Sequence, residues 1–200
     1  MKKLNQFIIE KFRLSKDNLT HQYNYHPKDN EELKELVKKL IKERGNDADL
    51  NDIDTSAITD MTNIFYNSKF NGDISGWDVS NLKNMLWMFG YSAFNKDISN
   101  WNVHKVEDMQ YMFTNSKFNK DISNWNVSNV ENMSNMFVKS KFNGDISEWD
   151  ISKVKYMDNM FYGSKFNQDI SKWDVSNIEY MTGMFQNCPL EDNPPKWYKK

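Results

Sequence analysis

The chain repeats itself every 24 residues. At that offset Asp73, Asp97, Asp121, Asp145 and Asp169 fall in one column, and Trp77, Trp101, Trp125, Trp149 and Trp173 in another. Phe70, Phe94, Phe118, Phe142 and Phe166 form a third, and Met85, Met109, Met133, Met157 and Met181 a fourth. Met-Phe pairs recur at 88–89, 112–113, 136–137, 160–161 and 184–185 without a gap. The frame extends back in degenerate form through Leu50, Ile53, Thr55, Ile58, Met61, Ile64 and Phe65, so six units cover residues 49–187. A unit this short cannot bury its apolar side alone. It does so by stacking on its neighbours, and stability becomes a sum of unit and interface terms.

The spacing within a unit predicts its local structure. Ile74-x-x-Trp77-x-Val79 has the leucine-rich-repeat spacing, with Trp77 and Val79 alternating about Asp78 as in a short strand. Leu82, Met85, Met88 and Phe89 then recur at three and four residues, one face of a short helix. Ser80 is placed as its N-cap, and Ser128-x-x-Glu131 and Ser176-x-x-Glu179 read as capping boxes. The expected fold is an α/β solenoid: a leucine-rich-repeat-like right-handed coil of six turns, each with a short strand, a short helix and a return loop.

The ends of such a coil need covering. Residues 1–48 are expected to form a helical N-terminal cap. Asn30 opens a run with Leu33, Leu36, Val37, Leu40 and Ile41 on one face, and Gly45 stops it. Residues 4–14 are expected to add another short helix. The solenoid proper is 49–187, with 49–72 its degenerate first turn. Residues 188–200 form a C-terminal cap, in which three prolines break the repeat and Leu190 and Trp197 fold over the last turn.

The unit with Asn71, Ile74-Ser75, Trp77-Asp78-Val79-Ser80, Leu82, Met85 and Met88-Phe89, followed by Phe94-Asn95-x-Asp97-Ile98-Ser99, resembles a known family. It is similar to the BspA-like leucine-rich repeat surface proteins, in the 24–25-residue form of mycoplasma lipoproteins and gut bacteria. The resemblance covers roughly residues 49–187. It implies a surface protein associated with adhesion. The N-terminal segment and the linker at 42–56 also resemble repeat proteins of gut Bacteroidales and their phages. No export signal is visible: Leu4, Phe7, Ile8, Ile9 and Phe12 are broken by charges, and no cleavage site follows. A cytoplasmic or phage-associated place is therefore expected over secretion.

Charge and cysteine usage narrow the function. The net charge is −2, with 26 basic and 28 acidic residues interspersed, so no nucleic-acid partner is expected. No apolar run is long enough for a membrane span. The single cysteine, Cys188, excludes an internal disulfide framework or a cysteine-rich zinc site. His21, His26 and His104 are isolated, and no phosphate loop or zinc spacing appears. No catalytic, cofactor-binding or metal-ligating set is assigned, and the chain is not expected to be an enzyme.

Several columns have structural readings. The asparagines 71, 95, 119, 143 and 167 are placed to satisfy backbone groups of neighbouring turns. The aspartates 73–169 need compensation, by Asx turns, by pairing with Lys69, Lys117, Lys141 and Lys165, or by calcium. The tryptophan column reads as core rather than a carbohydrate platform, and the methionines as core filler.

Binding is sought where copies differ. Tyr66, Trp87, Tyr91, Tyr111, Tyr156, Tyr162 and Tyr180 form the candidate binding surface, because tyrosine and tryptophan are favoured contact residues. Asp78, Asn102, Asn126, Asp150 and Asp174 form a candidate polar strand face. The chain is read as a non-catalytic module for a protein or glycan partner, monomeric or weakly oligomeric. The alternative is a structural or assembly protein, phage-borne, docking through its N-terminal helices or solenoid ends.

Overall fold

The computed structural model describes residues 23–199; the short helix expected over 4–14 lies outside them. One helix is present among the described residues, α1 (Asn30–Arg44). Asp29 caps it, its carboxylate accepting from Glu32 N at 2.9 Å. Glu31 and Glu32 in the first turn and Lys42 and Arg44 in the last complement the helix dipole. Gly45, at φ 91°, ends it and donates to Ile41 O. Leu33, Val37 and Leu40 are buried and join the same core as Leu50, Ile53 and Ile58 of the first unit. Arg44 fastens the C-terminal end of α1 through a two-pronged pair with Asp52, at 2.9 and 3.0 Å.

After α1 the units follow at 24-residue intervals, joined by isolated parallel bridges. Asp49 pairs with Asp73, and Asp60, Asn84, Asp108, Asn132, Tyr156 and Tyr180 pair in succession. The tryptophan, phenylalanine and methionine columns face inward. Trp77, Trp101, Trp125, Trp149 and Trp173 are at most 5 % exposed, and Phe89, Phe113 and Phe137 stack on one another at 5.6 Å. Each indole N–H donates to a carbonyl 27 residues earlier, Trp125 to Ile98 O at 3.1 Å, so the core also carries an inter-unit hydrogen bond.

The short helix expected at 82–89 is instead a run of hydrogen-bonded turns. Met88 N donates to Met85 O, Gly90 N to Trp87 O and Ser92 N to Phe89 O. Between these turns residues 87 and 91 adopt left-handed backbone, φ 57° at both. The same two positions are left-handed in every unit, from Asn63 and Asn67 to Gly183 and Asn187. An α-helix cannot contain such residues. Their effect is to aim alternate N–H groups out of the unit. The amides of Met85, Trp87, Phe89 and Tyr91 donate to the carbonyls of Asp108, Gln110, Met112 and Thr114 in the next unit. A helix would satisfy those donors within the unit; here the neighbour satisfies them.

The capping readings change for the same reason. Ser80 caps no helix: its N–H donates to Asp78 Oδ1 at 2.9 Å in an Asx turn. Glu131, the second half of an expected capping box, reaches Lys155 one unit on at 2.8 Å. Trp77 and Val79 point inward about an exposed Asp78, but residues 77–79 make no backbone-to-backbone hydrogen bond to another unit; the Asp78 carbonyl accepts from the Thr55 hydroxyl instead, at 2.9 Å. The asparagine column is a ladder, in which Asn95 N donates to Asn71 Oδ1, Asn119 N to Asn95 Oδ1 and Asn143 N to Asn119 Oδ1, all at 2.8–2.9 Å.

The tail keeps more of the repeat than its prolines suggest. Trp197 lies 24 residues after Trp173 and takes the next place in that column. Its indole N–H donates to Ile170 O at 3.0 Å, and its ring lies 6.4 Å from Trp173 at 17°. The repeat frame thus persists to Trp197, beyond the boundary expected at residue 188.

Candidate functional site

The structure gathers four of the seven variable aromatics into one patch. Trp87 and Tyr111 occupy the same position in adjacent units and stack at 4.1 Å, their planes 2° apart. Tyr91 lies 6.0 Å from Trp87, and Tyr66 meets Trp87 edge-on at 5.4 Å and Tyr91 at 5.8 Å. Tyr66 and Tyr91 are each 46 % exposed, while Trp87 and Tyr111 are half-buried. Tyr156 and Tyr180 form a separate exposed pair in the bridge column, 5.5 Å apart. Tyr162 is half-buried and shares no ring contact with either group.

The patch sits on costly backbone. Trp87, Tyr91 and Tyr111 are left-handed, at φ 57°, 57° and 58°. Most other units place asparagine or glycine at these two positions, residues that tolerate the region. A left-handed side chain other than these costs about 1–2 kcal/mol. Gly90 makes room for the rings: a Cβ there would come within 2.5 Å of Trp87 Cε3 and 3.3 Å of Tyr66 Cδ2.

The five candidates for a polar strand face are exposed, and each holds its own turn. Asp78, Asp150 and Asp174 accept from the amides of Ser80, Ser152 and Ser176 at 2.9–3.0 Å. Asn126 accepts from the Ser128 amide and hydroxyl, and Asn102 lies 2.8 Å from His104 Nδ1. The Ser152 hydroxyl and amide hold Asp150 below the usual carboxylate range, and the Ser176 amide does so for Asp174.

The aspartate column is compensated by Asx turns. Asp73, Asp97, Asp121, Asp145 and Asp169 each accept from the serine amide two residues on at 2.9 Å. Those amides lower each carboxyl's pKa, while Asp97 and Asp145 push that of Asp121 the other way. The expected pairing with Lys69, Lys117, Lys141 and Lys165 is not made. Phe70, Phe118, Phe142 and Phe166 turn inward between each lysine and its aspartate. The cations acting on this column are Lys96, Lys120 and Lys172. Among the described residues no group of three or more His, Cys, Asp and Glu is placed to hold a metal ion.

The unpaired lysines define a surface that the sequence reading missed. Between the inward Phe65 and Phe70 the chain turns a corner through residues 66–69, and the equivalent corners are 90–93, 114–117, 138–141 and 162–165. These corners carry Lys69, Lys117, Lys139, Lys141 and Lys165, all exposed, and no Asp or Glu. None of the five lysines belongs to an ion pair among the described residues. Tyr66 and Tyr91 lie on the first two corners. The readable signal was the absence of acids from one register of the repeat in a chain that is acidic overall.

Burial raises the Cys188 thiol above its usual range, in the column otherwise held by serines 68–164. No helix among the described residues is long and apolar enough to cross a membrane.

Comparison with known proteins adds one result. No curated protein and no solved structure matches the chain. A family model matches twice, over residues 31–141 and 114–198, which together take in α1 from its second residue, the repeats and the tail to Tyr198. A chain whose 24-residue units run through both matched segments is accounted for over most of its length, and it belongs to the mycoplasma-type repeat family described as Mycoplasma protein of unknown function, DUF285.

Proposed function

We propose that the protein is a non-catalytic binding module on a leucine-rich-repeat-like solenoid of the BspA-like kind, and that Tyr66, Trp87, Tyr91 and Tyr111 form its contact surface. One observation carries this reading: three aromatic side chains stand at left-handed positions, where asparagine or glycine would cost less. Backbone strain of this sort is retained where a particular side chain is needed. Tyrosine and tryptophan at partial exposure supply large contact area at small entropic cost.

Docking through α1 has less support, because Leu33, Val37 and Leu40 already spend its apolar face on the first unit. The test is partner capture from host lysate and surface extract by the wild type and by Tyr91→Ala/Tyr111→Ala. Loss of specific partners at unchanged melting temperature supports the reading. Retention of every partner by the double variant, with loss only on removing residues 1–45, transfers the function to the N-terminal segment.

A further inference from the structure

We propose that the acid-free corner of the repeats binds an extended acidic polypeptide lying along the stack, anchored at one end on the aromatic patch. This rests on the binding-module reading and adds the chemistry of the partner. The corner changes character along its length. In the first two units it presents Tyr66 beside a single lysine, Lys69, and Tyr91 beside Ala93, where other units have lysine. From the third to the fifth it presents Lys117, Lys139, Lys141 and Lys165.

The lysines are held in register by backbone. Lys117 N donates to Ser92 O, Lys141 N to Ser116 O and Lys165 N to Ser140 O. Their Cα atoms therefore rise by one rung, about 4.8 Å, per unit. Lys139 is added from a left-handed residue at φ 52°, and its Cγ passes 3.1 Å from where a Cβ on Gly163 would sit. The missing side chain at Gly163 leaves space for the Lys139 stem. Four ammonium groups thus line one edge with no carboxylate in the same register. In a chain of net charge −2, that is a local field opposite to the whole.

The length and the ring geometry favour a polypeptide. From the first corner to the fifth is roughly 19 Å, the reach of about six extended residues. A glycan would need an open aromatic face. Trp87 is engaged by Tyr111 face to face, by Tyr91 near-parallel and by Tyr66 edge-on, so its indole has no open face and the exposed groups of the patch are the tyrosines 66 and 91. Those suit an apolar or aromatic residue and the backbone of a peptide. Lysines supply the charge as mobile point cations, suited to carboxylates at variable positions.

The probe is a fluorescent peptide of one tyrosine followed by six glutamates, titrated against the full chain at low and physiological salt. Binding that weakens with salt is expected. It falls about tenfold in Lys117→Gln/Lys139→Gln/Lys141→Gln/Lys165→Gln and stays unchanged in Lys34→Gln/Lys38→Gln/Lys39→Gln/Lys42→Gln, which removes the same charge from α1. Equal loss in both quadruple variants, or no binding by the wild type at low salt, overturns the proposal. So does heparin binding more tightly than the peptide through the same four lysines. Captured partners lost in Tyr91→Ala/Tyr111→Ala but retained in the corner lysine variant would leave the binding module standing and remove the acidic peptide.

Discussion

The backbone N–H of Asn187 donates to the Glu191 carboxylate at 2.7 Å. This bond closes a column of hydrogen-bonded peptides running from Asn67 N to Gly90 O, Tyr91 N to Thr114 O, Asn115 N to Val138 O, Lys139 N to Tyr162 O and Gly163 N to Gln186 O. Three parallel columns end at the amides of Met181, Gly183 and Phe185. These four point the same way, so each has a donor end and an acceptor end, as a helix does, while the columns through Lys83 N and Lys117 N run the opposite way. Each end is met by a group of the right kind: a carboxylate at the donor end, and at the other the Asn30 amide, which donates to Asp60 O and Thr62 O at 3.2 and 3.1 Å.

Removing either terminal group is expected to destabilise the chain. Glu191→Ala should cost about 0.5–2 kcal/mol, the range of a lost N-cap. Asn30→Ala should cost about 1–3 kcal/mol, since two carbonyls lose their donor. Asn30→Asp should be worse, because it sets an acceptor against acceptors. Urea denaturation of each variant measures these differences.

The aromatic patch should trade stability against binding. Tyr91 is 46 % exposed and its nearest ring centroid is 5.8 Å away, so little packing is lost in Tyr91→Asn. Relief of left-handed strain should leave the variant equally stable or up to about 1 kcal/mol more stable. Tyr111→Asn gives up the 4.1 Å stack on Trp87, worth about 0.5–1.5 kcal/mol, and should come out near neutral. Partner binding should fall in both. Thermal melts beside a binding titration check the pair.

Gly90→Ala should disturb the patch without replacing any of its aromatic residues. The new methyl would lie 2.5 Å from Trp87 Cε3, so the indole must move off Tyr111. The expected result is a stability loss of about 1–3 kcal/mol, as for overpacking, with altered tryptophan fluorescence.

Acid and neutral pH should act on different carboxylates. Burial raises the pKa of Asp108, so its ionised form is disfavoured in the fold. A raised folded pKa means its contribution to stability is lost as pH rises through that value. Asp108→Asn removes the charge and keeps an acceptor for Gln110 N, as Asn84 and Asn132 do for Leu86 and Ser134. It should stabilise by about 0.5–1 kcal/mol at neutral pH, with the gain vanishing in the acid range. The aspartate column has the opposite sign. Its pKa values are lowered by serine amides, so its contribution is present above the ordinary carboxylate range and lost as pH falls through the folded values. Stability curves against pH for the wild type and Asp108→Asn separate the two.

The inward columns were legible because burial and period coincide: Trp77, Phe70 and Met85 repeat because the core demands them. The helix misreading at 82–89 has a specific cause. Two successive turns also place apolar residues three and four apart, as Met85, Met88 and Phe89 show. The cue against a helix was a residue tolerant of positive φ at two fixed positions, clear in Asn63 and Asn67 but masked where the chain has Trp87, Tyr91 and Tyr111. Pairing Lys117 with Asp121 rested on their separation by four residues, whereas the inward Phe118 turns the two side chains apart. The in-frame place of Trp197 was hidden by the prolines at 189, 194 and 195. The patch itself was legible as a set of variable aromatics; which of them touch depended on the turn geometry.

The uniform inter-unit bonds have a genetic consequence. Every unit meets its neighbours through the same backbone donors and acceptors, from Met85 with Asp108 to Met157 with Tyr180. An unequal crossover that deletes or duplicates one coding repeat therefore joins compatible edges. The product keeps both terminal groups while the corner residues are reshuffled, so the chain can diversify its surface by recombination without redesigning its interior.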